Sequence, residues 1–173
     1  MKKICFFLLL FAAYKCNAQT YPAVDTARYF LETRQFIQFI RDTFHIRDTV
    51  VLVDSAICRQ GGPGTATDTG IVRYRLAHPV FHTWNESLFG KGRIVPEEKI
   101  LAIFKAGGWA AFHKTYGRIM FRLSAPIFLQ DYTYCLVALD VSGGPTSGGG
   151  FWALYRKVGR KWVRVKVVNA WVS

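Results

Sequence analysis

His78, His82 and Glu86 stand four residues apart. On an α-helix that row would stack three metal-binding side chains on one face. Pro79 follows His78 and aromatic residues flank His82, which favours an extended stretch. On a strand, residues four apart lie about 13 Å apart and cannot share one ion. The row therefore predicts ordinary loop or strand histidines and no metal site. His45, after the first helix, and His113, on a later one, read as structural.

Serine and carboxylate chemistry fares no better. Ser142 and Ser147 lie in a glycine-rich stretch, but neither has glycine two before and two after it, as a nucleophile elbow requires. Gly61-Gly62-Pro63-Gly64 could cradle a phosphate only with a helix N-terminus directly behind it and usually a lysine. A loop and then a strand are predicted there instead. Asp54 and Asp140 each end or interrupt an apolar run. Paired carboxylates could do acid–base work, but no spacing brings these two together, so strand-end turn contacts are expected. The sequence predicts no catalytic residue and no cofactor, and leans away from an enzyme.

One collective signal remains. Arg73 and Arg75, Arg118 and Arg122, and Arg164 and Lys166 occupy alternate positions opposite apolar residues, with Tyr155 and Trp162 among them. If those segments share a sheet, they make one basic, aromatic face. Guanidinium groups suit planar carboxylates and phosphates, and aromatic rings add contact area.

The elements that would position that face follow from periodicity. Residues 24–44 read as an amphipathic helix, started by Asp25 or Thr26, with Phe30, Ile37, Ile40 and Phe44 at helical spacing. Residues 49–57 read as a strand. Residues 71–76 alternate, Val72, Tyr74 and Leu76 against Ile71, Arg73 and Arg75, and are predicted to be a second strand. Pro96 suits the first turn of a helix over 96–106. Gly107-Gly108 breaks it, and a short helix over 109–116 ends at Gly117. Strands are expected over 118–123 and 132–139, then a flexible segment over 142–150. Val158-Gly159-Arg160-Lys161 suits a type II′ turn. It sets Val158 opposite Lys161, Arg156 opposite Val163, Leu154 opposite Val165 and Trp152 opposite Val167 on a buried apolar face. On the other face it sets Lys157 beside Trp162, Tyr155 beside Arg164, Ala153 beside Lys166 and Phe151 beside Val168. The sum is an α+β domain. An antiparallel sheet, a meander with a C-terminal hairpin, carries the long N-terminal helix and two short helices packed on one face.

Composition sets the compartment. Lys2 and Lys3, an apolar run from Ile4 to Ala13 and the small Ala18 form the pattern of a secretory signal over 1–18, leaving one domain over 19–173. The expectation is an exported protein, periplasmic or extracellular, without a transmembrane segment in the mature chain. Lys15 directly before Cys16 argues against a lipid anchor at that cysteine. The signal segment takes Lys2, Lys3 and Lys15 with it and holds no acid, so the net charge falls from +12 to +9. Such an excess favours an anionic polymer, a lipid headgroup or an acidic protein. Nucleic acid ranks last, because the compartment offers little of it. Cys58 and Cys135 could bridge in an oxidising space or serve as small core residues.

From Trp109, Phe112 and Tyr116-Gly117, through Leu123-Ser124-Ala125-Pro126-Ile127-Phe128, to the glycine-rich segment and the Trp162 hairpin, the chain resembles uncharacterised secreted proteins of the Bacteroidota. The resemblance covers roughly residues 109–173 and implies a small extracytoplasmic α+β domain, with no catalytic residue supplied. A helix followed by a meander that ends in a tryptophan hairpin is also similar in architecture to NTF2-like domains. Three functions follow as expectations. The first is an exported, non-catalytic binding or interaction domain that uses the basic aromatic face on an anionic partner. The second is an NTF2-like small enzyme or ligand-binding domain. The third is an inhibitor or immunity-type partner of another exported protein.

Overall fold

The computed structural model describes residues 21–57 and 69–172. The segment 1–18, Cys58 and the Gly61–Gly64 loop lie outside the described residues. In chain order the described elements are α1 (Thr26–Thr43), β1 (Val51–Val53), α2 (Gly70–Ala77), α3 (Glu86–Phe89), β2 (Arg93–Val95), α4 (Glu97–Tyr116), β3 (Met120–Leu123), β4 (Ile127–Leu129), β5 (Tyr134–Gly144), β6 (Ser147–Val158) and β7 (Lys161–Val172). The Asp25 side chain caps α1 by accepting from Arg28 N–H at 3.0 Å. A helix start leaves such amides without an internal partner, and this contact satisfies one of them. No helix among the described residues is long and apolar enough to cross a membrane.

The strands form one sheet in the order β2-β1-β3-β5-β6-β7, with β4 also pairing β5. The fold is α+β, and its C-terminal part is the expected antiparallel meander. The other edge differs: β1 runs parallel to both β2 and β3. Between β3 and β4 the chain steps off the ladder. Ser124 Oγ accepts from Ala138 N–H at 2.9 Å there, so a side chain replaces a missing backbone partner.

The helices divide between the two faces instead of sharing one. Alternation along β1 and β3 explains why. Leu52, Phe121 and Leu123 pack under α1 with Cys135, Val137 and Leu139 of β5. Val51, Val53 and Met120 point the opposite way and pack under Ile100 and Phe112 of α4. Further along that reverse face, Val72 of α2 covers Ile127, Leu136 and Trp152. A strand apolar on both sides needs cover on both.

Three local expectations are corrected. Residues 71–76 are not a strand, because α2 spans them. Thr69 caps α2, its hydroxyl accepting from Val72 N–H at 3.4 Å, and Val72 is the one fully buried position it needs. Residues 142–150 are not a flexible loop, because β5 and β6 run through them and leave only Pro145 and Thr146 in the turn. The glycines there make room: a Cβ on Gly150 would lie 2.6 Å from Leu139 O and collide with the Trp171 ring. Third, the valine row is not buried.

That last correction concerns β7. The pairs Val158↔Lys161, Lys157↔Trp162, Arg156↔Val163 and Tyr155↔Arg164 form as the turn predicts, with Gly159 at φ +61°. Two bulges then move the register, giving Leu154↔Lys166, Ala153↔Val167 and Trp152↔Asn169. At the hairpin end the covered face is the one carrying Tyr155 and Trp162, 1% and 4% exposed, while Val163 and Val165 stand 51% and 54% exposed; on their side cover reaches only Trp152 and Leu154. Aromatic burial decides this. Phe36 meets Tyr155 and Trp162 edge to face, with centroids 5.3 and 5.2 Å away. Two large rings bury far more apolar area than two valines. Lys157 closes the interface, its Nζ 2.6 and 2.8 Å from the two Glu32 oxygens and 5.7 Å from the Trp162 ring centre.

Candidate functional site

The eight residues expected to form a basic aromatic face do not share one. Arg73 and Arg75 belong to α2. Arg118 lies exposed before β3 begins. Arg122 sits between Phe121 and Leu123, so it points to the face opposite α1, across from Asp140. Arg164 is paired with Tyr155 and so projects on the α1 side, whereas Lys166 is paired with Leu154 and projects on the reverse. Tyr155 and Trp162 are core residues. Burial pushes the Tyr155 hydroxyl up to about 12.

The other chemistry-bearing residues are also accounted for. Cys135 is a free, fully buried thiol, raised well above its ordinary range by burial, and its proposed partner Cys58 lies outside the described residues. Asp54 ends β1 and accepts from Glu97 N–H at 2.9 Å, capping α4 where Pro96 has no side-chain acceptor. Asp140 lies on β5 with Ser142 Oγ donating to it at 3.4 Å, and burial raises its carboxyl against the pull of Arg122. The two carboxylates stand apart in the fold, Asp54 just after β1 and Asp140 within β5, in unrelated roles. His78 ends α2 with its ring stacked on Tyr74 at 4.5 Å, and His82 is exposed beyond the helix. His113 Nε2 lies 3.0 Å from Gly143 O.

A different site emerges where the first turn of α1, α2 and β4 meet. They enclose a cleft of about 910 Å³. Its apolar lining includes Ile57, Ile71, Leu76, Ile127, Leu129 and Trp152, and its polar rim includes Asp25, Arg28, Thr69, Arg75, Asp131 and Tyr132. α1 supplies the rim because its stripe ends here: Tyr29 turns inward and donates its hydroxyl to Pro126 O at 2.8 Å. Burial holds that hydroxyl far above its ordinary range, so it stays a donor.

The rim is strained. Gln130, Asp131 and Tyr132 have φ of +48°, +53° and +65°, three successive non-glycine residues in the left-handed region. Such conformations cost on the order of 1–2 kcal/mol per residue and persist only where the surroundings impose them. α1 does the imposing. Arg28 donates to the Asp131 carboxylate at 2.6 Å and to Asp131 O at 3.1 Å, and stacks 4.5 Å over the Tyr132 ring. Tyr132 Oη in turn donates to Asp25 O at 3.2 Å. Asp131 raises the pKa of Arg28, so the guanidinium stays charged throughout.

Sequence reasoning missed this cleft. Its residues come from five separate segments, around α1, the end of β1, α2, β4 and Trp152 of β6, and carry no shared spacing. The one local signal was Gln130-Asp131, two polar residues between apolar runs, which marks a turn but not its left-handed form. Set against known protein families, curated proteins and solved structures, the chain matches none of them.

Proposed function

We propose that the protein is an exported, non-catalytic binding domain that takes a small, largely apolar ligand with a hydrogen-bonding end. The observation that carries this reading is the cleft: about 910 Å³, apolar in its lining and polar at its rim. Ligand pockets have this composition and run to roughly 300–1,000 Å³. The strained turn 130–132 supports it, since strain held in place by a dedicated clamp is typical of ligand-binding edges. Arg28 is engaged by Asp131, Arg75 donates to Pro22 O at 2.9 Å, and the His78 ring faces Tyr74 O. These side chains are engaged by the protein itself and frame the polar end of the cleft. Export rests on Lys2, Lys3, the run Ile4 to Ala13 and Ala18.

The test uses a neutral apolar dye, N-phenyl-1-naphthylamine, titrated against the protein. The expected result is saturable binding that falls at least tenfold in Leu129→Glu, which charges the lining, and in Ile71→Trp, which fills it. Saturable binding left unchanged by both substitutions, or no saturable binding to the wild type, overturns the reading.

A further inference from the structure

From Val141 to Ser173 the chain contains no Asp or Glu, yet it carries Arg156, Lys157, Arg160, Lys161, Arg164 and Lys166. Lys157 is spent on Glu32. The other five are exposed. On the face turned away from α1, the pairs Val158↔Lys161, Arg156↔Val163 and Leu154↔Lys166 interleave aliphatic and cationic side chains. Val158, Val163 and Val165 there are 55%, 51% and 54% exposed. Cover on that face stops short of them: Val72 of α2, with Val168 and Trp171, reaches Trp152 and Leu154 but not the hairpin end.

We infer that this outer hairpin face docks on an anionic lipid surface, with the cations at headgroup level and the three valines entering the interface. Its chemistry matches that occupant on both counts, charge and apolar area. A second copy of the chain is disfavoured because the patch would meet its own charge. An added protein strand is disfavoured because two bulges interrupt β7, the free edge of the hairpin. The patch is also the end of a two-residue turn, with Gly159, Arg160 and Lys161 all exposed, and so it projects outward. A planar, deformable partner suits a projecting end better than a shaped protein pocket does. The inference stands apart from the cleft reading, although the sites are neighbours: Lys157 N–H bonds Thr133 O at 2.8 Å, next to the strained rim.

The experiment is flotation of the full mature chain with vesicles of phosphatidylcholine alone or mixed with phosphatidylglycerol. Binding to the mixed vesicles is expected, weakened at least tenfold by 0.5 M salt and absent with phosphatidylcholine. Arg160→Glu/Lys161→Glu/Lys166→Glu is expected to lose at least tenfold in affinity. The charge-matched control Lys105→Glu/Lys114→Glu/Arg118→Glu, on and just beyond α4, is expected to bind within threefold of wild type. Val158→Ser/Val163→Ser/Val165→Ser is expected to lose several-fold on vesicles while keeping its retention on heparin, which separates a lipid from a polyanion. Equal loss in both charge variants, no loss in the valine variant, or retention on heparin without vesicle binding would each overturn the inference. Thermal melts of all variants check that the fold is retained.

Discussion

The two ends of α1 meet the sheet in opposite ways. Toward its C-terminus, Phe36, Ile37 and Ile40 are 0–1% exposed and locked among Tyr155, Trp162 and Phe128. Toward its N-terminus, Arg28 and Tyr29 border a cleft of about 910 Å³ and hold a strained turn through exposed polar contacts. One helix thus serves as a rigid wedge at one end and as a clamp at the other. The difference teaches where stability and recognition are separated: the filled end fixes the fold, which leaves the open end able to carry strain.

Substitutions should expose that division. Phe36→Ala empties the filled end and should cost about 3–5 kcal/mol, read from urea denaturation. A loss under about 1 kcal/mol would deny that this end anchors the fold. Alkaline pH acts on the same end more gently. Tyr155 is pushed up to about 12, against about 10 for a tyrosine in an unfolded chain. Between those values the unfolded chain has released a proton that the folded chain keeps. This contribution is therefore intact below about pH 10 and is lost as pH rises toward 12, by up to about 2–3 kcal/mol. Tyr155→Phe should flatten that decline. At neutral pH it should be nearly silent, because the buried hydroxyl has no hydrogen-bond partner. The smallest effect belongs to the open end. Gln130→Gly relieves a left-handed residue but frees the unfolded chain, so stability should move by less than about 1 kcal/mol. Dye binding in the cleft should weaken in that variant. A large stability change there would mean that the turn is part of the fold's core.

The same contrast governs what the sequence could reveal. Local signals were legible: the α1 stripe and its Asp25 cap, the Gly107-Gly108 break that places Gly108 at φ +57° within α4, and the first four pairs of the β6–β7 hairpin. Non-local decisions were not. Residues 71–76 carry an alternation as clear as any strand, and only Thr69, a good helix cap, pointed to α2. Which face of β6–β7 is covered depends on Phe36, more than a hundred residues away, and no pattern within the hairpin encodes it. The parallel edge rests on three-residue strands whose partners lie far along the chain. The candidate cleft is the extreme case, because no signal within any one of its segments tells that they meet.

The pairing of β1 with β3 joins Val51 to Met120. In chain order β2 reaches Val51, Leu52 and Val53 first, but β1 is flanked on both sides only once Met120 has arrived. The β5–β6–β7 meander closes instead through two tight turns and can condense early. A chain delivered N-terminus first must therefore keep a sticky aliphatic triplet only partly paired, and this is the stretch a holding chaperone would best shield.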